Sequence, residues 1–235
     1  MRIDIAHGLF LIADGMGGHG HGDVASRVAV DAIRDHMDGA FRRWDDGEGL
    51  DESGERQNGV ELRYSIHAAH RSVVGAVAEN QALAGMGTTV VGLIVGNDAV
   101  AVAHVGDSRA YRLRDGELEL VTEDHTWVNE QVQAGYLSAE QARSHPLKSV
   151  VTRAVGGDHQ VEVDLREIPA AEGDVFLLCS DGLTTMLTDE EIHGLLIDEG
   201  SLDDRCQQLV DVANDKGGVD NITTILLELG QDSAS

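Results

Sequence analysis

Gly8-Leu9-Phe10-Leu11-Ile12-Ala13-Asp14-Gly15-Met16-Gly17-Gly18-His19 is a short apolar run that ends abruptly in a carboxylate and then in glycines. Bounded by glycine and without polar alternation, the run has the form of a buried strand. A carboxylate at the mouth of such a strand is costly unless a cation or several donors meet it. The glycines that follow let the backbone turn and come close to a ligand. The stretch therefore predicts a strand that delivers one carboxylate, and a neighbouring backbone carbonyl, to a cation.

The same device recurs along the chain. Val100-Ala101-Val102-Ala103-His104-Val105 runs into Gly106-Asp107-Ser108-Arg109, and Val175-Phe176-Leu177-Leu178-Cys179-Ser180 runs into Asp181-Gly182. Near the end the order inverts, with Gly218-Val219-Asp220-Asn221 preceding Ile222-Thr223-Thr224-Ile225-Leu226-Leu227. A lone Asp-Gly is more often a turn than a site. Four acidic strand ends, two of them Ala-Asp-Gly or Ser-Asp-Gly, point instead to shared chemistry. Carboxylate and carbonyl oxygens are hard ligands that suit Mg²⁺ or Mn²⁺, whereas zinc would call for closely spaced His or Cys.

Composition narrows the options. The 235 residues carry a formal net charge of −25, which argues against nucleic acid as a partner. The same charge repels a phosphorylated substrate, so the site itself must supply positive charge, as divalent ions would. Apolar residues make up 42% and aromatic residues only 3%, so the core must be built from Val, Leu, Ile and Ala. Cys179 and Cys206 fall on apolar faces as ordinary thiols, which fits a reducing, cytoplasmic setting. No run reaches membrane-spanning length and no signal peptide is visible, so no membrane role is expected.

Helical spacing covers residues 22–37 and resumes over 60–81, with an acidic, Gly-rich stretch at 38–59 that reads as an exposed, mobile loop. Residues 88–95 and 99–105 form a hairpin, and 109–114 and 118–121 form another around Asp115-Gly116. Residues 122–157 break this rhythm, and Ser138-Ala139-Glu140-Gln141 is a capping box opening a short helix there. Strands are expected at 161–168 and 174–180. Thr188-Asp189-Glu190-Glu191 is a second capping box, and Leu202, Cys206, Leu209, Val210 and Ala213 mark a last helix before the final strand. No linker divides the chain, so a single domain over 1–235 of class α+β is expected.

Taken together, Ala13-Asp14-Gly15-Met16-Gly17-Gly18-His19, Gly85-Met86-Gly87-Thr88-Thr89, His104-Val105-Gly106-Asp107-Ser108-Arg109, Cys179-Ser180-Asp181-Gly182-Leu183 and Asp220-Asn221-Ile222-Thr223 resemble the metal-dependent Ser/Thr protein phosphatases of type 2C (PPM), bacterial branch. They come in the family's order and span almost the whole chain. The resemblance implies a four-layer αββα sandwich of two antiparallel sheets flanked by helices, with a flap at about residues 122–157. It implies hydrolysis of phosphoserine and phosphothreonine in proteins by a metal-bridging hydroxide, opposing a Ser/Thr kinase. Asp14 would bridge two Mn²⁺ or Mg²⁺ ions, Asp181 and Asp220 would hold the first, and the Gly15 carbonyl the second. Asp107, with Asp181, resembles the ligands of a third, weaker ion, and Asn221 would orient Asp220.

Some family members have a His directly after the Asp-Gly pair, where Met16 stands here. His19 is then the nearest candidate general acid, on equal terms with a role as a plain glycine-loop residue. His104 reads as a core histidine, His125 and His145 as flap residues, and Arg109 as a brace for Asp107 or, alternatively, a phosphate contact. Relative to the family pattern, the N-terminal strand with its Arg and Asn-Glu-Asp segment is missing ahead of Met1. Arg2 and Asp4 lie too close to Asp14 to replace it, which predicts weak second-ion binding and low phosphatase activity. Two other readings remain beside the protein phosphatase: a low-activity regulatory or binding module of the same fold, and a hydrolase of small phosphate esters. The substrate-binding residues and the oligomeric state are not legible.

Overall fold

The structure is a computed structural model that describes residues 1–17, 21–50, 52, 57–157 and 160–230. In chain order the elements are β1 (Arg2–Asp4), β2 (Leu9–Ile12), β3 (Gly15–Met16), α1 (His21–Asp45), α2 (Asn58–Glu79), β4 (Gly87–Thr88), β5 (Val90–Val95) and β6 (Ala99–Val105). They continue with β7 (Arg109–Arg114), β8 (Glu117–Leu120), α3 (Trp127–Gln133), α4 (Ala139–Arg143), β9 (Asp164–Pro169), β10 (Val175–Cys179), α5 (Asp181–Thr184), α6 (Asp189–Ile197), α7 (Leu202–Asp215) and β11 (Thr224–Glu228).

The strands build two main antiparallel sheets, ordered β1-β2-β5-β6-β9 and β11-β10-β7-β8. Period-two alternation explains how they stack, because both faces of the central strands are apolar. In β2, Leu9 and Leu11 face α1 and α2, joining Ile33, Met37, Ile66 and Val73 in one core. Phe10 and Ile12 face the other way, joining Leu93, Val102, Phe176, Leu178 and Ile225 between the sheets. From β10, Leu177 and Cys179 face outward onto Leu183, Ile192, Leu196 and Leu209 of α5, α6 and α7. Three apolar layers thus separate four layers of secondary structure, the αββα order expected.

Local signals act where the sequence placed them. Asp115 and Gly116 both take positive φ, 51° and 78°, the turn that matches the twist of a two-residue hairpin. Complete capping boxes open α4 at Ser138 and Gln141 and α6 at Thr188 and Glu191, as expected, and a third, not singled out from the sequence, opens α7 at Ser201 and Asp204.

Three expectations need correction. Helix α1 does not stop at Met37 but runs to Asp45, because Ala40, Phe41 and Trp44 continue the buried stripe of Ile33 and Met37. The loop expected at 38–59 is therefore confined to the residues between Asp45 and Asn58, of which 51 and 53–56 lie outside the described residues. Helix α3, capped by Thr126 onto Asn129 N–H at 3.3 Å, lies inside 122–157, where only the shorter α4 was expected. Strand β9 begins at Asp164 rather than residue 161 and forms one edge of the first sheet.

At the other edge, Arg2 pairs opposite Leu11 and Asp4 opposite Leu9, so Asp4 sits at the end of β2 remote from Asp14. Burial pushes the Asp4 carboxyl up, but hydrogen bonds from His7 and the charges of His7 and Arg2 outweigh it and hold the group below its usual range. Among the described residues no helix is long and apolar enough to cross a membrane.

Candidate active site

Asp14 leaves the end of β2 and is fixed through its backbone. Its carbonyl accepts from Thr89 N–H and from Thr88 Oγ1, both at 2.8 Å, and its own N–H donates to Thr89 Oγ1 at 3.2 Å. Thr89 Oγ1 in turn lies 2.7 Å from Ser108 Oγ, the residue after Asp107. The Gly-Thr-Thr stretch is therefore a clamp that ties the Asp14 turn to the Asp107 turn. Gly15 packs against the first turn of α1, where an added Cβ would stand 2.1 Å from the Gly22 carbonyl oxygen.

Asp107 follows the end of β6, where the chain crosses from the first sheet to the second; it is buried, at 8% exposure. Gly106 before it is held from both sides by His125, whose N–H donates to Gly106 O at 3.0 Å and whose Nδ1 accepts from Gly106 N–H at 3.1 Å. That bond fixes the tautomer, so the proton of a neutral His125 sits on Nε2 and is directed at Asp164 Oδ2, 3.2 Å away.

Asp181 opens α5 at the end of β10, and Asp220 lies on the turn before β11. Ser180 binds these two ends together: its N–H donates to Thr223 O at 3.0 Å, and its Oγ bonds both Asn221 O and Thr223 N–H, at 3.2 and 3.0 Å. The Asn221 N–H donates to Asp220 Oδ1 at 2.7 Å, so it is the backbone of Asn221 that orients this carboxylate.

The four aspartates feel one another. Burial, then the charges of Asp181 and Asp220, push Asp14 up to about 7. Burial, then Asp181 and Asp124, push Asp107 up to about 7, and burial with Asp220 raises Asp181. Among the described residues no Lys or Arg stands within ion-pair distance of any of the four. Crowded carboxylates, three of them at least partly buried, with no Lys or Arg partner among the described residues are the donor set a divalent ion satisfies, so these residues fit the ions that the sequence motifs imply.

This electrostatic state predicts the pH dependence of metal uptake. A divalent ion held by these carboxylates would compete with protons for Asp14 and Asp107, which burial and neighbouring charge push up to about 7. Apparent Mn²⁺ affinity should therefore rise between about pH 5.5 and 7.5 and level off above. Calorimetry in buffers of different ionisation enthalpy should show protons released on binding at the acid end and almost none at the alkaline end. Affinity independent of pH across that window would disprove the account.

Several expectations change against this geometry. Arg109 does not brace Asp107. It makes a bidentate pair with Asp124, at 2.8 and 2.7 Å, and donates to Tyr111 OH, which bonds Asp189. Its effect on Asp107 is indirect, through neutralising the adjacent Asp124.

His104 is buried and bonds Glu123 O at 2.7 Å, the core role expected. It also stacks on His125, and the ligand atoms of His104, His125 and Asp164 all lie within 4.8 Å of one another. Arg153 NH1 already stands 3.1 Å from Asp164 and 3.3 Å from His125 Nε2, so a cation occupies that corner. His19 lies outside the described residues. Thr88, Thr89 and Ser108 are functional supports that residue chemistry alone did not single out. The signal was their place beside the Gly-Met-Gly and Gly-Asp motifs.

The comparisons with known proteins agree with this arrangement. The protein phosphatase 2C family model matches residues 3–226, and the chain belongs to that family. The serine/threonine phosphatase stp of Listeria welshimeri is 39% identical over 94% of this chain and 84% of its own length. The serine/threonine protein phosphatase PstP of Mycobacterium tuberculosis is 37% identical over 94% of this chain, which covers 40% of PstP. A crystal structure of that phosphatase superposes with a TM-score of 0.82 at 36% identity, covering 95% of this chain and 88% of the other. The catalytic domain of PstP in complex with two manganese ions has a TM-score of 0.76 at 32% identity, covering 95% and 88%. The chain is a metal-dependent phosphatase of phosphoserine and phosphothreonine in proteins.

Proposed function

We propose that Asp14, Asp181, Asp220 and the Gly15 carbonyl hold two divalent ions, with Mn²⁺ as the natural occupant, and that Asp107 with Asp181 holds a third. The supporting observation is the convergence of four strand-end aspartates that no Lys or Arg among the described residues pairs with. The manganese complex of the PstP catalytic domain favours the choice of metal. Bound there, divalent ions would lower the pKa of water and offset the charge of a substrate phosphate.

The chain's own part is positioning. Thr88 and Thr89 hold the Asp14 backbone, Ser180 ties Asp181 to Asp220, and His125 holds the Gly106 turn that presents Asp107. On this reading the chain is one phosphatase domain over 1–235. Residues 122–157, with α3 and α4, form a flap anchored by the Thr126–Val151 bridge. A protein Ser/Thr kinase is the opposing partner, and the two free cysteines suit a reducing cytoplasm.

A phosphothreonine peptide assayed with Mn²⁺, with Mg²⁺ and after chelation tests the reading. Turnover should be highest with Mn²⁺ and fall by about a thousandfold or more with chelator. Full turnover in excess chelator would refute it.

A further inference from the structure

His125 stands between conflicting demands. Its Nδ1 accepts from Gly106 N–H at 3.1 Å, which requires that nitrogen to carry no proton. Its Nε2 faces an acceptor and a donor at once, Asp164 Oδ2 at 3.2 Å and Arg153 Nη1 at 3.3 Å. These two pull the ring proton in opposite directions. The carboxylate favours a proton on Nε2. The guanidinium has donors only, so it favours a bare Nε2 and a proton on Nδ1. In that second tautomer Nδ1–H would point at Gly106 N–H, two donors in one contact.

Asp164 decides between them. Its Oδ1 takes the Arg153 Nη1–H at 3.1 Å, so the guanidinium is satisfied on the carboxylate and Oδ2 is left for Nε2–H. Glu162, 3.6 Å from Arg153 Nη2, is a second carboxylate for that arginine and makes no bond to the imidazole. The ring itself is buried, stacks on His104 at 4.7 Å, and is tied through its backbone N–H to Gly106 O. Asp164 opens β9 opposite His104, so the sheet register brings its carboxylate to this ring. The Gly106 turn is confined on another side by Thr89, whose Cγ2 would lie 2.6 Å from an added Cβ, and Gly106 takes a φ of 105°. A change in the His125 contact is therefore passed to the next residue, Asp107.

We infer that Asp164 is a positioning residue for Asp107: by holding His125 in its Nε2–H tautomer against the pull of Arg153, it keeps the Gly106 turn, and with it the Asp107 carboxylate, in place. Asp164 and Arg153 act on the aspartate site only through this imidazole. The inference rests on the reading of Asp107 as a ligand of the third ion and extends that site to two side chains remote from it in sequence.

Long-range ¹H–¹⁵N correlation spectra of the metal-free protein identify which nitrogen of His125 carries the proton, at about pH 8.5, where an ordinary imidazole is neutral. Wild type, Glu162→Ala and Arg153→Ala should all show Nε2–H. Asp164→Ala should move the proton to Nδ1 in a large share of molecules. Adding Arg153→Ala to it should restore Nε2–H, because Gly106 N–H then decides alone; a merely structural loss at the start of β9 would not be repaired by a second deletion. Titration calorimetry with Mn²⁺ should show the weakest site about tenfold weaker in Asp164→Ala, recovered in the double variant and unchanged in Glu162→Ala. Asp164→Asn keeps the side-chain size but offers one oxygen to two donors, so it should shift the same way and serves if the alanine variant does not fold. His125 protonated only on Nε2 in both Asp164 variants overturns the inference, as does a shift that Arg153→Ala leaves in place. A third site present in wild type and equally strong in Asp164→Ala overturns it as well. If wild type binds no third ion, the reading of Asp107 fails, while the tautomer shift and its rescue still support the positioning role of Asp164.

Discussion

Asp14→Asn is expected to lower turnover of a phosphothreonine peptide by roughly a thousandfold or more while making the metal-free protein more stable. The loss follows from the place of Asp14 at the centre of the cluster, facing both Asp181 and Asp220. The gain follows from the cost of ionising a carboxyl in that setting. In the fold its pKa is pushed up to about 7 from 3.8. Between those values the folded state binds the proton that the unfolded state has released, so stability falls as pH rises through the window. Below pH 3.8 both states are neutral and nothing is lost; above about 7 the full penalty applies, on the order of a few kcal/mol. Asparagine keeps the shape and removes the charge. Denaturant midpoints of chelated wild type and variant, taken at pH 8 and pH 4, should therefore differ at the first and converge at the second. A chelated variant less stable than wild type at pH 8 would show that Asp14 is not destabilising in the metal-free fold.

Gly182→Ala should damage stability and activity together. An added Cβ at this position would lie 2.2 Å from the Asn221 carbonyl oxygen and 2.9 Å from its carbon, both backbone atoms. Backbone cannot rotate aside as a side chain can, so the 220–223 turn must back away from α5. Overpacking of this kind costs about 1–3 kcal/mol. The displaced turn carries Asp220, and a misplacement of about 1 Å costs about a hundredfold in rate. Gly194, in α6, is the control, because an added Cβ there meets nothing within 4 Å. Gly194→Ala should be neutral to slightly stabilising, by about 0.5–1 kcal/mol, with activity intact. Equal midpoints and equal kcat/KM for the two alanine variants would mean that the contact at Gly182 is not limiting.

The four aspartates were legible because a carboxylate after a buried strand, followed by glycine, is a local pattern. Every residue of it lies within a short window. What joined them was not local. Nothing in the spacing places β1 and β2 beside β5, or β9 beside β6, and the two-sheet architecture came from family resemblance instead. The overrun of α1 to Asp45 was hidden by composition: Asp and Gly dominate residues 38–49, yet Ala40, Phe41 and Trp44 keep the three- and four-residue spacing of the buried face. Helix α5 is too short, at four residues, to show any period. Arg109 illustrates the limit for side chains. Asp107 lies only two residues before it in sequence, but the side chain pairs with Asp124, and only the fold brings that partner within 2.8 Å.

The two sheets are interleaved along the chain, and this orders events as the protein is made. The first sheet needs β9, which is synthesised after β7 and β8 of the second, and β10 pairs on both sides with strands from distant parts of the sequence. Closing such long loops is slow and must precede any reward from the contacts. The carboxylate cluster is completed only when Asp220 arrives and β11 zips onto β10. A nascent chain therefore exposes three of the four acidic strand ends before the fourth has emerged. The aspartate cluster is thus among the last features of this fold to be assembled.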